Sequence, residues 1–332
     1  MSVRDVLIVG AGPSGLATAI AAKQQGLDYV IVEKGVLVDA IFSFPTHMVF
    51  FTTPELLEIG GLPLVTPYDK PTRLEALRYY RRVVDTYDLQ ISFHEEVIEI
   101  EREQDTFIVT SRDAGGTTRA RQARAIVLAI GYYDHPNYLG VPGEAFPHVS
   151  HYYTEAHPYY RQRVVVVGGR NSAAEAALEL FRAGAHVSLV HRGAALADTI
   201  KYWVRPDIDN RIKAGSITAL FNTRVREITR SAVIVEGETG RREIPADGVL
   251  LLTGYKPDVD LMRRAGVKCD NDTLAPELDP DTFETNVPNL FIAGGAIAGR
   301  NTGSIFIENG RFHGERIIRV LSQRLTQGTP TT

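Results

Sequence analysis

The chain of 332 residues is long enough for two ordinary domains, and its 44% hydrophobic and 23% charged residues are typical of a water-soluble protein with buried cores. A formal net charge of −4 argues against nucleic acid as a partner. The single cysteine, Cys269, excludes an intrachain disulfide and favours a reducing compartment, so we expect a cytoplasmic protein. We also expect no membrane span and no signal peptide, because no apolar run approaches about 20 residues. We expect no metal site either.

The amino-terminal segment has the order strand, glycine-rich turn, helix, strand and acid. Residues 6–9 predict a buried strand, residues 16–25 a helix and residues 29–32 a second strand that ends at Glu33. The turn at residues 10–15 is Gly-Ala-Gly-Pro-Ser-Gly, the G-x-G-x-x-G pattern of dinucleotide sites. The helix start attracts phosphate, and Glu33 can accept ribose hydroxyls while repelling a 2′-phosphate. The segment therefore predicts a site for FAD or NAD.

A second segment of the same kind begins at residue 163. Residues 163–167 predict a strand, and Gly-Gly-Arg-Asn-Ser at residues 168–172 precedes a helix that continues to Arg182. The strand at residues 186–190 ends in His191 and Arg192 rather than in an acid, which suits the 2′-phosphate of NADPH. Arg170 replaces the second glycine of the pattern and could either crowd the pyrophosphate or pair with it. A structural strand–helix–strand unit without a nucleotide is the alternative interpretation.

Three further apolar runs end in glycine, at residues 125–131, 249–254 and 289–295. Strands that end in glycine at the carboxyl edge of a parallel sheet let a ligand lie against the backbone. A glycine-rich turn and a helix over about residues 305–321 follow the third run.

The order of these motifs resembles the two-domain flavoprotein disulfide reductases of the low-molecular-weight thioredoxin reductase type. Within that group the chain looks most similar to the bacillithiol disulfide reductase family, through the strings at residues 44–48, 58–60, 190–193 and 305–311. The resemblance implies an α/β fold with two Rossmann-like, three-layer nucleotide-binding domains. It implies a discontinuous FAD-binding domain, residues 1–143 and 260–332, with an NADPH-binding domain, residues 146–256, inserted into it. It also implies a homodimer.

Together the motifs and the resemblance identify candidate cofactor contacts. By resemblance, the segment around Pro45 lies near the isoalloxazine and the backbone of Val97 lies near the adenine. The candidate FAD contacts are Gly10, Gly12, Pro13, Ser14, Gly15, Glu33, Lys34, Thr46, His47, Val97, Gly131, Gly294, Gly295 and Ile305. The candidate NADPH contacts are Gly168, Gly169, Arg170, Asn171, Ser172, His191 and Arg192.

The chain departs from the relatives it resembles at three places. Residues 148–155 contain no cysteine where thioredoxin reductases have a Cys-x-x-Cys pair, so a dithiol relay is excluded. Ser14 stands where the bacillithiol family often has a cysteine, which makes it a candidate catalytic residue by position, and we expect its hydroxyl to bind a phosphate. Gly295 replaces the acid that binds the ribityl chain in related flavoproteins, so we expect weaker FAD retention. His47 is the candidate proton donor near the flavin, with a purely structural histidine as the alternative.

The leading hypothesis is an FAD-dependent oxidoreductase that passes electrons from NADPH to a low-molecular-weight disulfide or another external acceptor, either a small molecule or a small protein. A ferredoxin-coupled NADP reductase shares the scaffold and needs no cysteine. A flavin-dependent monooxygenase is suggested by residues 146–151, although this linker lacks the glycine of that class. A flavin-binding redox sensor without turnover is the non-enzymatic alternative.

Overall fold

The structure is a computed structural model that describes residues 3–327 and divides them into two compact units. Unit 1 comprises residues 3–43, 48–135 and 255–327, and unit 2 comprises residues 44–47 and 136–254. Unit 2 is therefore an insertion in the sequence of unit 1. No helix within residues 3–327 is both long enough and apolar enough to cross a bilayer.

The strands are β1 (Val3–Val9), β2 (Tyr29–Val32), β3 (Ile91–Ser92), β4 (Glu95–Glu103), β5 (Thr106–Asp113), β6 (Thr118–Leu128), β7 (Val149–Ser150), β8 (Arg163–Val167), β9 (His186–Val190), β10 (Thr218–Leu220), β11 (Arg224–Ile228), β12 (Ala232–Gly237), β13 (Gly240–Pro245), β14 (Gly248–Leu251) and β15 (Leu290–Ile292). The α-helices are α1 (Pro13–Gln24), α2 (Asp39–Phe42), α3 (Arg73–Tyr87), α4 (Asn171–Arg182), α5 (Arg205–Lys213), α6 (Val259–Arg264), α7 (Ile307–Gly310) and α8 (His313–Gln327). Short 3₁₀ helices cover Pro54–Leu56, His157–Tyr159 and Gly294–Ala298.

Unit 1 is built on a seven-stranded sheet with the order β3-β2-β1-β6-β5-β4, in which β15 also pairs with β6. The strands β3, β2, β1, β6 and β15 run parallel, whereas β4, β5 and β6 form an antiparallel meander. The four residues of β2 are all buried, as expected for a parallel strand that is covered on both faces. Val9 of β1 pairs with both Val32 and Leu128, so the turns after β1, β2 and β6 meet at one edge of the sheet.

Unit 2 contains a five-stranded parallel sheet with the order β10-β9-β8-β14-β7 and a three-stranded antiparallel sheet, β11-β12-β13. Helix α4 packs on the parallel sheet through alanine and leucine side chains, and its apolar face joins Val164, Val166 and Leu189 in one core. The opposite face of the sheet, with Val165, packs against the three-stranded sheet. Each face is thus covered by a different kind of layer.

The predicted domain boundaries at 143/146 and 256/260 stay a prediction, and the two compact units are divided at other residues. The chain enters unit 2 at residue 136 and leaves it at residue 254, and these ends are bonded to each other: Asn137 N–H donates to the Gly254 carbonyl at 2.9 Å, and Thr253 Oγ1 donates to the Asn137 carbonyl at 2.6 Å. In unit 1, the flanking residues are bonded likewise, with Lys256 N–H donating to the His135 carbonyl at 2.9 Å.

The helix predicted over about residues 305–321 is interrupted. Helix α7 ends at Gly310, and α8 begins at His313. The Arg311 guanidinium between them donates to the carbonyls of Glu55 and Glu58, both at 2.6 Å, and these bonds hold the segment that joins the two helices.

Candidate functional site

The first glycine turn is tightly packed on one side and open on the other. A Cβ atom on Gly10, whose φ is +105°, would lie 2.5 Å from the Ala129 carbonyl oxygen, and one on Gly15 would lie 2.0 Å from the Gly10 carbonyl oxygen. These contacts require glycine for packing β1, β6 and α1 together. A Cβ atom on Gly12 would meet nothing within 4 Å, and Pro13 begins α1. The turn thus has a free backbone surface at a helix start, which fits the pyrophosphate of a dinucleotide.

Glu33 is folded into this turn. Its side chain is 6% exposed, and its two carboxylate oxygens accept the backbone N–H groups of Ala11 and Gly35, both at 2.7 Å. Burial raises the pKa of Glu33, while the two N–H donors oppose that rise. The acid therefore stabilises the loop conformation itself, in addition to the ribose contact predicted for it.

Ser14 lies at the junction of three elements. Its Oγ donates to the Gly310 carbonyl at 3.3 Å, and a Cβ atom on Gly294 would lie 2.5 Å from this Oγ. The hydroxyl is thus directed at the end of α7, whereas the sequence predicts a phosphate contact for it. Ile305 lies beside Gly310, with its Cγ2 atom 3.5 Å from a Cβ placed there.

The replacement of an acid by Gly295 has a steric explanation. A Cβ atom on Gly295 would lie 2.7 Å from the ring of Tyr132, which follows directly after Gly131. The Tyr132 hydroxyl donates to the Thr302 carbonyl at 3.3 Å, and burial raises its pKa. Gly131 has φ of +60° and open space at its Cβ position. A larger residue at position 295 would displace the tyrosine ring.

Two further candidate FAD contacts, Lys34 and Val97, lie in unit 1. Lys34 forms an ion pair with Asp134. Val97 follows β3 and lies within β4 next to a register shift, with its side chain in the core of unit 1, and its contact with the adenine stays a prediction.

Thr46 and His47 belong to the short segment that groups with unit 2. Both side chains are exposed, and Thr46 N–H donates to the Thr154 carbonyl at 2.9 Å. Their contact with a flavin stays a prediction.

The second glycine turn is filled by an imidazole. A Cβ atom on Gly168 would lie 2.5 Å from the Leu252 carbonyl oxygen, so this glycine packs β8 against the segment after β14. A Cβ on Gly169 would lie 2.3 Å from the His191 ring, and one on Gly193 would lie 2.8 Å from it. Burial, followed by the nearby Arg192 charge, lowers the pKa of His191. His191 is therefore neutral near pH 7 and supplies shape rather than charge at this turn.

The exposed cations of the second turn are Arg170 and Arg192. Among residues 3–327, neither guanidinium has a hydrogen-bond or ion-pair partner, and Arg170 has extended backbone before α4. Ser172 in the first turn of α4 is exposed as well. Both arginines are thus available to an anionic ligand.

Asn171 has a role that the sequence did not indicate. Its Nδ2 donates to the Thr199 carbonyl at 3.2 Å, and its Oδ1 accepts the Lys201 N–H at 2.9 Å. Ala197 N–H also donates to the Gly169 carbonyl at 2.9 Å. The amide therefore fastens the loop after β9 to the helix start, a long-range contact that no local sequence pattern indicates.

Another residue that sequence reasoning missed is His313. Its Nδ1 accepts the Gly294 N–H at 3.1 Å in a buried position. By contrast, Cys269 is half-buried beside the core of unit 1, and burial raises the pKa of its thiol, so it is a poor nucleophile at neutral pH.

Comparisons with known proteins match most of this chain. Residues 7–294 match the model of the family described as "Pyridine nucleotide-disulphide oxidoreductase". Bacilliredoxin reductase Bdr of Bacillus subtilis (strain 168) is 42% identical over 98% of this chain and 99% of its own length. The structure of bacillithiol disulfide reductase Bdr (YpdA) from Bacillus cereus superposes with a TM-score of 0.95 at 40% identity, covering 97% of this chain and all of that one.

A more distant structure, the thioredoxin reductase of T. acidophilum, has a TM-score of 0.76 at 22% identity, with 97% of this chain and 99% of that one covered. This level of identity shows the fold alone, and it confirms the predicted α/β class with two Rossmann-like domains, one inserted into the other. The chain therefore belongs to the pyridine nucleotide-disulphide oxidoreductases, within the bacillithiol disulfide reductase family, and is an oxidoreductase that uses a flavin and a nicotinamide nucleotide.

Proposed function

We propose that this chain is an FAD-dependent enzyme that takes a hydride from NADPH and passes the electrons to a low-molecular-weight disulfide or another external acceptor. The observation that supports it best is the contrast between the two turns. The first turn has the buried carboxylate of Glu33, and the second has the unpaired guanidiniums of Arg170 and Arg192. An acid excludes a 2′-phosphate from one site, whereas the cations attract it to the other.

In this proposal unit 1 binds FAD and unit 2 binds NADPH. The open backbone at Gly12 accommodates the FAD pyrophosphate, and the remaining lone pairs of Glu33 accept the ribose hydroxyls. FAD, when bound, supplies the isoalloxazine that accepts the hydride and releases two electrons. The packing of His191 on Gly169 gives the second turn its shape, and Arg192 supplies the charge for the 2′-phosphate.

The names of the relatives, bacilliredoxin reductase and bacillithiol disulfide reductase, favour a small disulfide or a small disulfide protein as the acceptor. The chain has no thiol pair of its own, because Cys269 is its single cysteine and Ser14 donates to a carbonyl. We therefore propose that the acceptor undergoes reduction without a dithiol relay on the enzyme.

The test begins with the purified protein and its visible absorption. We expect bound FAD, faster bleaching by NADPH than by NADH, and repeated recovery of the oxidised spectrum when bacillithiol disulfide, or an oxidised bacilliredoxin, is added. Oxygen consumption without any acceptor gives the background rate. A colourless folded protein would refute the proposal, recovery with oxidised ferredoxin alone would favour the ferredoxin-coupled alternative, and bleaching without acceptor-driven recovery would favour a sensor.

We propose in addition that the enzyme works as a homodimer in the cytoplasm. The single cysteine supports a reducing compartment, and the dimer rests on the family resemblance. Light scattering of the flavin-loaded protein tests the dimer, since a mass near that of one chain would contradict it.

A further inference from the structure

The end of β15 carries a buried N–H group that the sheet leaves without a partner. Ala293 N–H makes the last bond of this strand to the sheet, to the Leu128 carbonyl at 2.9 Å. Gly294 then takes φ of +76°, a left-handed conformation that suits glycine, and its N–H turns away from β6. A buried donor without a partner costs about 1–3 kcal/mol, so this group requires an acceptor.

The acceptor is the Nδ1 atom of His313, at 3.1 Å. The imidazole is 7% exposed and lies on the ring of Phe283, with centroids 4.2 Å apart and planes at 23°. Phe283 is itself joined to β15, because its carbonyl accepts the Ile292 N–H at 3.1 Å. His313 therefore contacts the end of β15 twice, through the Gly294 amide and through the ring of Phe283.

The position of His313 is set by the close crossing of α1 and α8. A Cβ atom on the next residue, Gly314, would lie 2.6 Å from the backbone N and Cα atoms of Thr18. This crossing brings the first turn of α8 against α1, which begins at the first glycine turn. Burial and the Arg316 charge lower the pKa of His313 to about 4, so the ring is neutral at physiological pH and Nδ1 can accept.

We propose that His313 is a positioning residue for the flavin site: its Nδ1 atom holds the Gly294 amide, and with it the Gly294–Gly295 turn, in the conformation that receives FAD. The inference rests on the proposed function, because it requires FAD to bind along this edge of unit 1. It explains how the chain orders this turn although Gly295 offers no acid to the ribityl chain. The hydrogen bond from Gly294 to His313 orders the turn before FAD binds.

The test uses three variants of the full chain. His313→Asn keeps an acceptor, because its Oδ1 takes the place of Nδ1. His313→Phe keeps an aromatic ring on Phe283 but removes the acceptor. Phe283→Leu keeps the histidine and weakens the ring contact. Each apoprotein is titrated with FAD to obtain the dissociation constant, and its thermal unfolding is measured without FAD.

We expect His313→Phe to weaken FAD binding by about tenfold, the ratio that corresponds to ~1.4 kcal/mol. His313→Asn should stay within about threefold of the wild type, and Phe283→Leu should lower the melting temperature of the apoprotein with FAD affinity within the same range. Equal losses in His313→Asn and His313→Phe, or no loss in His313→Phe, would overturn the inference, because the acceptor would then make no difference.

Hydrogen exchange at the Gly294 amide decides the question even if His313→Phe does not fold. The wild-type apoprotein should protect this amide at neutral pH, and rapid exchange there would overturn the inference. The two proposals also fail differently. A folded wild-type chain that takes up no FAD refutes the proposed function, whereas equal FAD uptake by the wild type and His313→Phe refutes only the role of His313.

Discussion

The two glycine turns follow the same sequence order but use the residue at the end of the second strand in opposite ways. Glu33 is buried and accepts two backbone N–H groups, so its charge is part of the turn. At the second turn His191 is an uncharged filler, and the charge is on the exposed side chains of Arg170 and Arg192. The residue that selects the nucleotide at the first turn thus also stabilises the fold. At the second turn, the arginines proposed to select the nucleotide can be changed without disturbing the fold.

The largest expected effect is a loss of folding stability at the packed side of the first turn. In Gly15→Ala the new methyl group would meet the Gly10 carbonyl oxygen at 2.0 Å, so we expect the free energy of unfolding to fall by about 3 kcal/mol or more. Chemical denaturation of the apoprotein measures it.

Gly12→Ala is the matched control, since its methyl group meets nothing within 4 Å. We expect it to change the unfolding free energy by less than about 1 kcal/mol and yet to weaken FAD binding, because the methyl group enters the proposed pyrophosphate space. Similar losses of stability in both variants would refute the distinction between the packed and the open side of the turn.

The next effect concerns the separable charge of the second turn. Arg192→Ala should raise the KM for NADPH by about 10- to 100-fold, the loss of a charge-assisted hydrogen bond, and leave the KM for NADH nearly unchanged. Steady-state kinetics with both nucleotides and a fixed acceptor measure the ratio. Arg230→Ala, which removes an exposed arginine elsewhere in unit 2, controls for net charge. Parallel losses with NADPH and NADH would place Arg192 outside the phosphate site.

A smaller effect tests the filler role of His191. Gly169→Ala places a methyl group 2.3 Å from the imidazole, which can shift, and we expect a cost of about 1–2 kcal/mol in unfolding free energy. The same substitution should cost clearly less in a His191→Ala background, because the obstacle is gone. Additive effects in this double-mutant cycle would mean that the ring does not occupy the turn.

The smallest effect is expected at Ser14, the candidate catalytic residue in the family's cysteine position. Its hydrogen bond to Gly310 is long, at 3.3 Å, so Ser14→Ala should lower the unfolding free energy by less than about 1 kcal/mol. Disulfide-dependent NADPH oxidation should change by less than about twofold. A large loss of turnover in Ser14→Ala alone would restore a catalytic role to this hydroxyl.

The sequence predicted the elements that depend on local pattern. The strands β2, β8 and β9 have the predicted bounds. Buried parallel strands are uninterrupted apolar runs, so their ends can be read from the sequence. The interruption between α7 and α8 was missed, since the anchor of Arg311 on Glu55 and Glu58 joins residues far apart in the chain.

The candidate sites show the same limit. The glycines and Glu33 could be found because turn geometry and residue type are tied to each other. The hydrogen bonds of Asn171 to the loop after β9 and of Gly294 to His313 could not be predicted, because each depends on which elements cross in three dimensions. Residues 44–47 group with unit 2, and their predicted place in the FAD-binding domain stays a prediction.

The bonded ends of unit 2 bear on how the chain folds. Because Asn137 is hydrogen-bonded to Gly254, a folded unit 2 bridges the sequence gap between His135 and Lys256 as a tight turn would. An unfolded unit 2 instead leaves unit 1 a long flexible loop to close, and the entropy cost of closure rises with loop length. The β14–β8 pairing that completes unit 2 thus lowers the entropic barrier for adding the carboxyl-terminal strand β15 to the sheet begun by β1.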